Sequence, residues 1–222
     1  MVTMDRIALR LHAGFLAAVV LVLWLPLGVA VGQKVFWLLV GWHVAFVTIA
    51  LTSRRRWLGL WWFATCTSVM MILPDWFLVD GLRTLRFAAD GFPDVGPVSG
   101  YMALMWAPAF VMLVQAATAA AGSRDQTLGD VSAIVGALVV FGLAEYSLTR
   151  IPLWLPLGVR TWNGIATYVL LAEAVLGLVV WRAWCRIDGA GPVVAVPAGA
   201  TVMLTYLGLL GVSWVVVERV LS

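Results

Sequence analysis

The run WLGLWWFATCTSVMMILPDWFLV, residues 57–79, decides the fold. It carries a single charge, Asp75, set near its far end behind Pro74. The run exceeds the roughly 20 residues a helix needs to cross about 30 Å of hydrocarbon. Arg54, Arg55 and Arg56 stop it on one side. On the other, a polar connection rich in glycine and proline extends from Asp80 to Ser99. The end of the run and this connection hold four of the chain's eleven carboxylates: Asp75, Asp80, Asp90 and Asp94. A carboxylate beside Trp76 in an apolar segment is costly to bury and does little for spanning, so function is sought there first.

The same pattern extends over the whole chain. Of 222 residues, 63% are hydrophobic and 11% charged, and mean hydropathy is +1.01, far above a water-soluble domain. Apolar segments at about 11–31, 35–51, 57–79, 100–121, 128–148, 162–184 and 194–217 predict seven transmembrane helices. The expected fold class is an all-α polytopic membrane protein, a single seven-helix bundle over residues 1–222. Alternating segments of about ten residues, the mark of a transmembrane barrel, are absent. Arg6 and Arg10 precede the first segment, and more apolar sequence follows Pro26 and Gly28. That segment reads as a retained helix and not a cleaved signal peptide.

Lysine and arginine set the orientation. With the N-terminus inside, the inner side holds Arg6, Arg10, Arg54, Arg55, Arg56, Arg124, Arg182 and Arg186. The outer side holds Lys34, Arg83, Arg86, Arg150, Arg160 and Arg219. The bias, with the arginine triplet in a short loop, predicts an inner N-terminus and an outer C-terminus. The net charge of +3 therefore bears on topology. No basic patch interleaved with exposed aromatics marks a nucleic-acid binder.

Of the carboxyls within apolar segments, Asp75, Glu145 and Glu173 are the candidate catalytic residues. Asp75 is the sharpest: apolar surroundings disfavour its charged form, and a neutral carboxylic acid can donate a proton. Its alternative is a helix-end aspartate that reaches headgroup water. Glu145 stands four residues before Thr149, with Arg150 next, and is either half of an ion pair fixing the connector or a second acid. Glu173 lies midway along its segment with no cation at helical spacing. It needs a proton or an interior partner such as His43, Tyr146 or Tyr206.

Candidate substrate-binding residues surround these. Trp76, Tyr101, Trp106 and Trp154 offer aromatic faces that stabilise a desolvated cation by about 2 kcal/mol or more each. His43 lies in the outer half of the second segment. Arg83 and Arg150 either meet a polar head group or pair with Asp80 and Glu145. The thirteen tryptophans also suit two interfacial belts: Trp57, Trp61, Trp62, Trp181 and Trp184 inside, and Trp37, Trp76, Trp154 and Trp162 outside.

His12 and His43 are the only histidines, and no third ligand stands at a recognisable spacing, so no metal is expected. Cys66 and Cys185 read as small buried hydrophobes. No glycine-rich phosphate loop or Ser–His–Asp set is present, and Lys34, the only lysine, lies outside the helices, which excludes a retinal Schiff base. No cofactor is expected.

A chain of about this length, with seven helices, isolated intramembrane carboxylates and an excess of aromatics, resembles the small membrane-integral terpene cyclases. These include fungal meroterpenoid cyclases and bacterial enzymes of indole-terpenoid pathways. The resemblance covers architecture along the whole chain. The fungal members carry a Trp–Glu pair on the second helix where this chain has Trp42 and His43. A looser similarity exists to integral carotenoid-modifying enzymes. The resemblance implies a lipid-like or prenylated substrate, acid-initiated cyclisation without a cofactor, and residence among membrane lipids, in the plasma membrane of a bacterium. Two other readings stay open: a proton-coupled small-molecule transporter using the three carboxyls as a relay, and a non-catalytic accessory membrane subunit.

Overall fold

The computed structural model describes residues 5–122, 125–147, 151 and 153–221. The architecture is all-helical, and seven helices are long and apolar enough to cross a membrane. They are Arg6–Trp24, Val31–Ser53, Trp57–Gly81, Met102–Ala121, Gln126–Ser147, Thr167–Ile187 and Pro192–Val220. The first is α1 and the second α2. The third comprises α3 (Trp57–Met70), α4 (Ile72–Trp76) and a π-helical turn, Phe77–Gly81. Then follow α5 (Met102–Ala121), α6 (Gln126–Ser147) and α7 (Thr167–Ile187). The last comprises a short 3₁₀ turn, α8 (Ala195–Val215) and a second π turn, Val216–Val220.

All seven expected segments are helices, but their ends shift for local reasons. The second starts at Val31 and not at 35, so that Lys34, expected outside the helices, lies inside α2. The first begins at Arg6, not near residue 11, because the Asp5 carboxylate accepts the Ile7 amide at 2.9 Å and caps it. Pro26 biases Leu25 toward extended backbone, so α1 stops at Trp24 and not near residue 31. In the third helix, Pro74 has no N–H for the carbonyl of Met70, and the span breaks at Met71 before restarting. The sixth helix begins at Thr167 and not at 162, since Thr161–Trp162 (β5) turns back onto Ile165–Ala166 (β6). Asn163 and Gly164 take φ of 51° and 83°, the two left-handed positions of a type I′ turn.

The core sits between α3, α5, α6, α7 and α8, with α5 packed against α3, α6 and α7, and α1 resting chiefly on α2. Small residues bring α6 and α7 together: a Cβ added at Gly177 would lie 2.5 Å from the Ala133 carbonyl and 2.5 Å from the Ala137 methyl. At one end of the bundle lie the α2–α3 and α7–α8 turns, rich in arginine. At this end Arg54 bonds Asp5 at 2.7 Å, and that guanidinium holds the Asp5 carboxyl below its usual range.

The opposite end is closed by a cap that the segment pattern does not announce. Leu85–Phe87 (β1) pairs antiparallel with Trp154–Pro156 (β4), joining connectors about 70 residues apart in register Leu85↔Pro156 and Phe87↔Trp154. The Ala88 amide donates to Leu153 at 2.9 Å and the Leu157 amide to Thr84 at 2.8 Å. Beside the cap, Asp94–Val95 (β2) folds onto Val98–Ser99 (β3). Asp90 anchors this loop: its carboxylate accepts the Ser99 hydroxyl at 2.5 Å and the Phe92 amide at 2.9 Å, while its carbonyl receives the Gly32 amide at 2.9 Å.

Candidate functional site

Asp75 lies on α4 one residue past Pro74, and only 4% of it is exposed. The Trp106 indole, on α5, donates to its Oδ2 at 3.3 Å. The Trp106 ring is itself wedged between Phe141 of α6 and Tyr206 of α8, with centroids at 5.3 and 5.7 Å. Its backbone amide meets the Ser68 hydroxyl of α3 at 3.2 Å. Trp106 is thus held by α3 at its backbone and by α6 and α8 at its ring.

Glu145, near the end of α6, accepts the Trp154 indole at 3.0 Å, which ties it to the β1–β4 cap. Glu173, on α7, is 3% exposed, and its Oε2 finds no hydrogen-bond partner among the described residues. The three carboxyls come from three helices yet lie within electrostatic reach of one another, Glu145 acting on Asp75 and both acting on Glu173. Tyr206, fully buried, is within reach of all three. Tyr168 borders the group and shares a 2.6 Å hydrogen bond with Thr84 under the cap. Among the described residues, none of the three carboxyls forms an ion pair: the pairs are Arg54–Asp5, Arg56–Asp188 and Arg182–Asp130.

Of the residues singled out by sequence, Asp75, Glu145, Glu173, Trp106 and Trp154 come together. The others do not. Trp76 turns away from Asp75: 39% exposed, it donates to Asp80 at 2.8 Å and covers Gly96, where an added Cβ would meet its ring at 2.5 Å. Helical spacing explains this, since adjacent residues on a helix face different directions. Tyr101 is buried with the Asp90 loop, its ring against Phe92, and burial beside Asp90 pushes its hydroxyl well above the usual tyrosine range. Arg83 is exposed, with a left-handed φ of 57° and no ion pair among the described residues. Arg150 lies outside the described residues, and so does the proposed Glu145–Arg150 pair.

His43 has a structural setting. Its Nδ1 accepts the Trp61 indole at 2.9 Å, which leaves the proton of a neutral ring on Nε2. That side lies toward Leu104 of α5, whose carbonyl has lost its helical donor because Pro108 has no N–H. His12 is buried, hydrogen-bonded through Nε2 to Gln115 at 2.8 Å. Among the described residues no group of three or more His, Cys, Asp or Glu is arranged to hold a metal ion. Two cavities lie away from the carboxyls. One, of about 600 Å³, is an apolar groove between α1 and α2; the other, of about 450 Å³, is at the arginine end.

Tyr206 and Phe141 complete the site, and neither stood out as a pocket residue from sequence. A lone tyrosine midway along the last apolar segment is a weak signal, and a phenylalanine in such a segment is none.

Fold and site together define a seven-helix bundle with an internal cluster of carboxyls that form no ion pair among the described residues, under a small β cap. The chain belongs to the family described as a domain of unknown function (DUF6989), which matches residues 72–217. Comparison with curated proteins and with solved structures gives no match. The matched region begins at α4 and contains Asp75, Glu145, Glu173, Trp106 and Tyr206, and leaves α1, α2 and α3 outside.

Proposed function

We propose that this protein is an integral membrane enzyme acting on an isoprenoid or other lipid-like substrate, most concretely a terpene cyclase initiated by a buried carboxylic acid. The convergence of Asp75, Glu145 and Glu173, with no ion pair to any of them among the described residues and with Trp106, Tyr206 and Trp154 beside them, carries this reading. Membrane residence is supported by an inverted polarity. Leu16, Val20, Leu143, Leu204 and Val212 face outward while Asp75, Glu173 and His12 are buried. The arginine-rich end supports an inner N-terminus, and the plasma membrane of a bacterium remains the proposed location.

Like charges in an apolar interior disfavour one another's ionisation, and the proposal takes Asp75 as the carboxyl that carries a proton. In the proposed reaction Asp75 gives that proton to the oxygen of a terminal epoxide, or to a terminal alkene carbon. The C–O bond, or the C=C π bond, yields a tertiary cation. An internal alkene attacks it to close a ring, and the last cation returns a proton to a carboxylate. Glu173 suits that final role, since its Oε2 has no hydrogen-bond partner among the described residues, whereas Glu145 is held by Trp154. The aromatic faces stabilise the moving charge. Proton given and proton returned balance, and the product is an isomer of the substrate.

Asp75→Asn is expected to leave a folded protein and to lower turnover at least about a hundredfold, the scale of a lost general acid. The measurement is product formation by mass spectrometry, using detergent-purified protein and prenyl substrates with and without a terminal epoxide. Unchanged turnover in the variant would sink the assignment. The clustered carboxyls also suit a proton relay in a carrier; proton-driven uptake into proteoliposomes, with no product formed, would favour that second reading.

A further inference from the structure

We propose that the cavity at the arginine end of the bundle binds a membrane lipid through an anionic phosphate headgroup. The cavity holds about 450 Å³, within the range of small-molecule sites, and opens between the α2–α3 turn and the α7–α8 turn. Two links clamp these turns together. Arg56 pairs with Asp188, and the Trp62 indole donates to the Pro192 carbonyl at 3.1 Å. The opening is therefore built by the fold.

Its chemistry is amphipathic. Trp61, Trp62 and Trp184 give it an apolar wall, and Arg55 and Arg56 stand on its rim. Asp188, the acid that lines it, is already occupied by Arg56, whose guanidinium that carboxylate keeps protonated above the ordinary arginine value. Arg55 is exposed and forms no ion pair among the described residues. Around it, this end carries Arg6, Arg10, Arg54, Arg182 and Arg186 against Asp5, Asp125, Asp130 and Asp188. Three of those four aspartates are consumed in ion pairs, so the mouth keeps a positive field.

There is also room beside the backbone. A Cβ added at Gly189 or Gly191 would meet nothing within 4 Å, and one at Gly59 would touch only the Trp184 ring, at 3.6 Å. A free inorganic anion has no use for three indole walls. A phosphate joined to an acyl or prenyl chain uses both halves of the cavity, the charge at the arginines and the first methylenes along the tryptophans. Basic pockets between helices at a membrane surface hold such headgroups, each arginine contributing about fivefold in affinity. A zwitterionic headgroup gains less, because its cation meets the same arginines.

The inference uses the proposal that the helices span a bilayer and makes no use of the carboxyl cluster, so its failure leaves the cyclase reading where it stands. The test is native mass spectrometry of the full, detergent-purified chain with phosphatidylglycerol and phosphatidylcholine of matched acyl chains. One phosphatidylglycerol is expected to be retained in preference to phosphatidylcholine. Arg55→Gln, at an exposed position, is expected to lower that retention about fivefold. Arg186→Gln, at the same end but outside the cavity, is expected to leave it unchanged, and millimolar inorganic phosphate is expected not to displace the lipid. Equal retention of the two lipids, equal losses in both variants, or displacement by inorganic phosphate would each overturn the proposal.

Discussion

At the residue scale, Glu173 is the most exposed to disproof. It is buried, its Oε2 lacks a partner among the described residues, and two other carboxyls stand within electrostatic reach. A buried unsatisfied polar atom costs about 1–3 kcal/mol and persists in a native structure for a reason. If the reason is proton transfer, Glu173→Gln keeps the shape, removes a like charge and costs no stability. The expected outcome is a thermal midpoint in detergent no lower than the parent's, with turnover reduced about a hundredfold. A lowered midpoint with turnover intact would mark a structural carboxyl. Trp76 teaches the converse. Its place next to Asp75 made it the obvious pocket residue, yet adjacency in a helix separates two side chains by about a quarter-turn or more, and Trp76 serves Asp80 and Gly96.

At the scale of elements, the β1–β4 cap decides how the site meets its surroundings. Trp154 is a strand residue of the cap and the hydrogen-bond donor to Glu145, so cap position and carboxyl position are linked. Tyr168 at the start of α7 fastens the cap from below through Thr84, at 2.6 Å. Removing that hydroxyl is expected to loosen the cap by about 1 kcal/mol, since a net hydrogen bond contributes that much. Tyr168→Phe should therefore speed hydrogen exchange at the Ala88 and Leu157 amides about fivefold. Exchange unchanged at both amides would show that the strand ladder alone holds the cap. The helices themselves were legible as apolar runs. The cap was not, because strands of two or three residues leave no periodicity, and its partners are about 70 residues apart.

At the scale of the whole molecule, the two ends differ in kind: arginines and open turns at one, the carboxyl-linked cap and the Asp90 loop at the other. The proposed orientation in a bilayer rests on that asymmetry. With Cys66 and Cys185 replaced by alanine, Val193→Cys and Val95→Cys place single thiols at exposed positions of opposite ends, 84% and 46% exposed. A membrane-impermeant maleimide applied to intact cells is expected to label Val95→Cys and to spare Val193→Cys until the membrane is opened. Labelling of both from outside would refute a spanning bundle, and the reverse pattern would invert the topology.

The sequence by itself determined the number of long apolar helices, the arginine bias between their ends and the three carboxyls out of place among them. Those features are local: each is a run length or a charge in a run, and hydrocarbon thickness and desolvation act on them one segment at a time. Only the tertiary structure decided that Asp75, Glu145 and Glu173 meet, that Trp106 and Trp154 are their donors while Trp76 and Tyr101 are not, and that Tyr206 stands among them. Which faces of five helices turn toward one another depends on packing, such as the Gly177 contact that brings α7 against α6. No single segment encodes it.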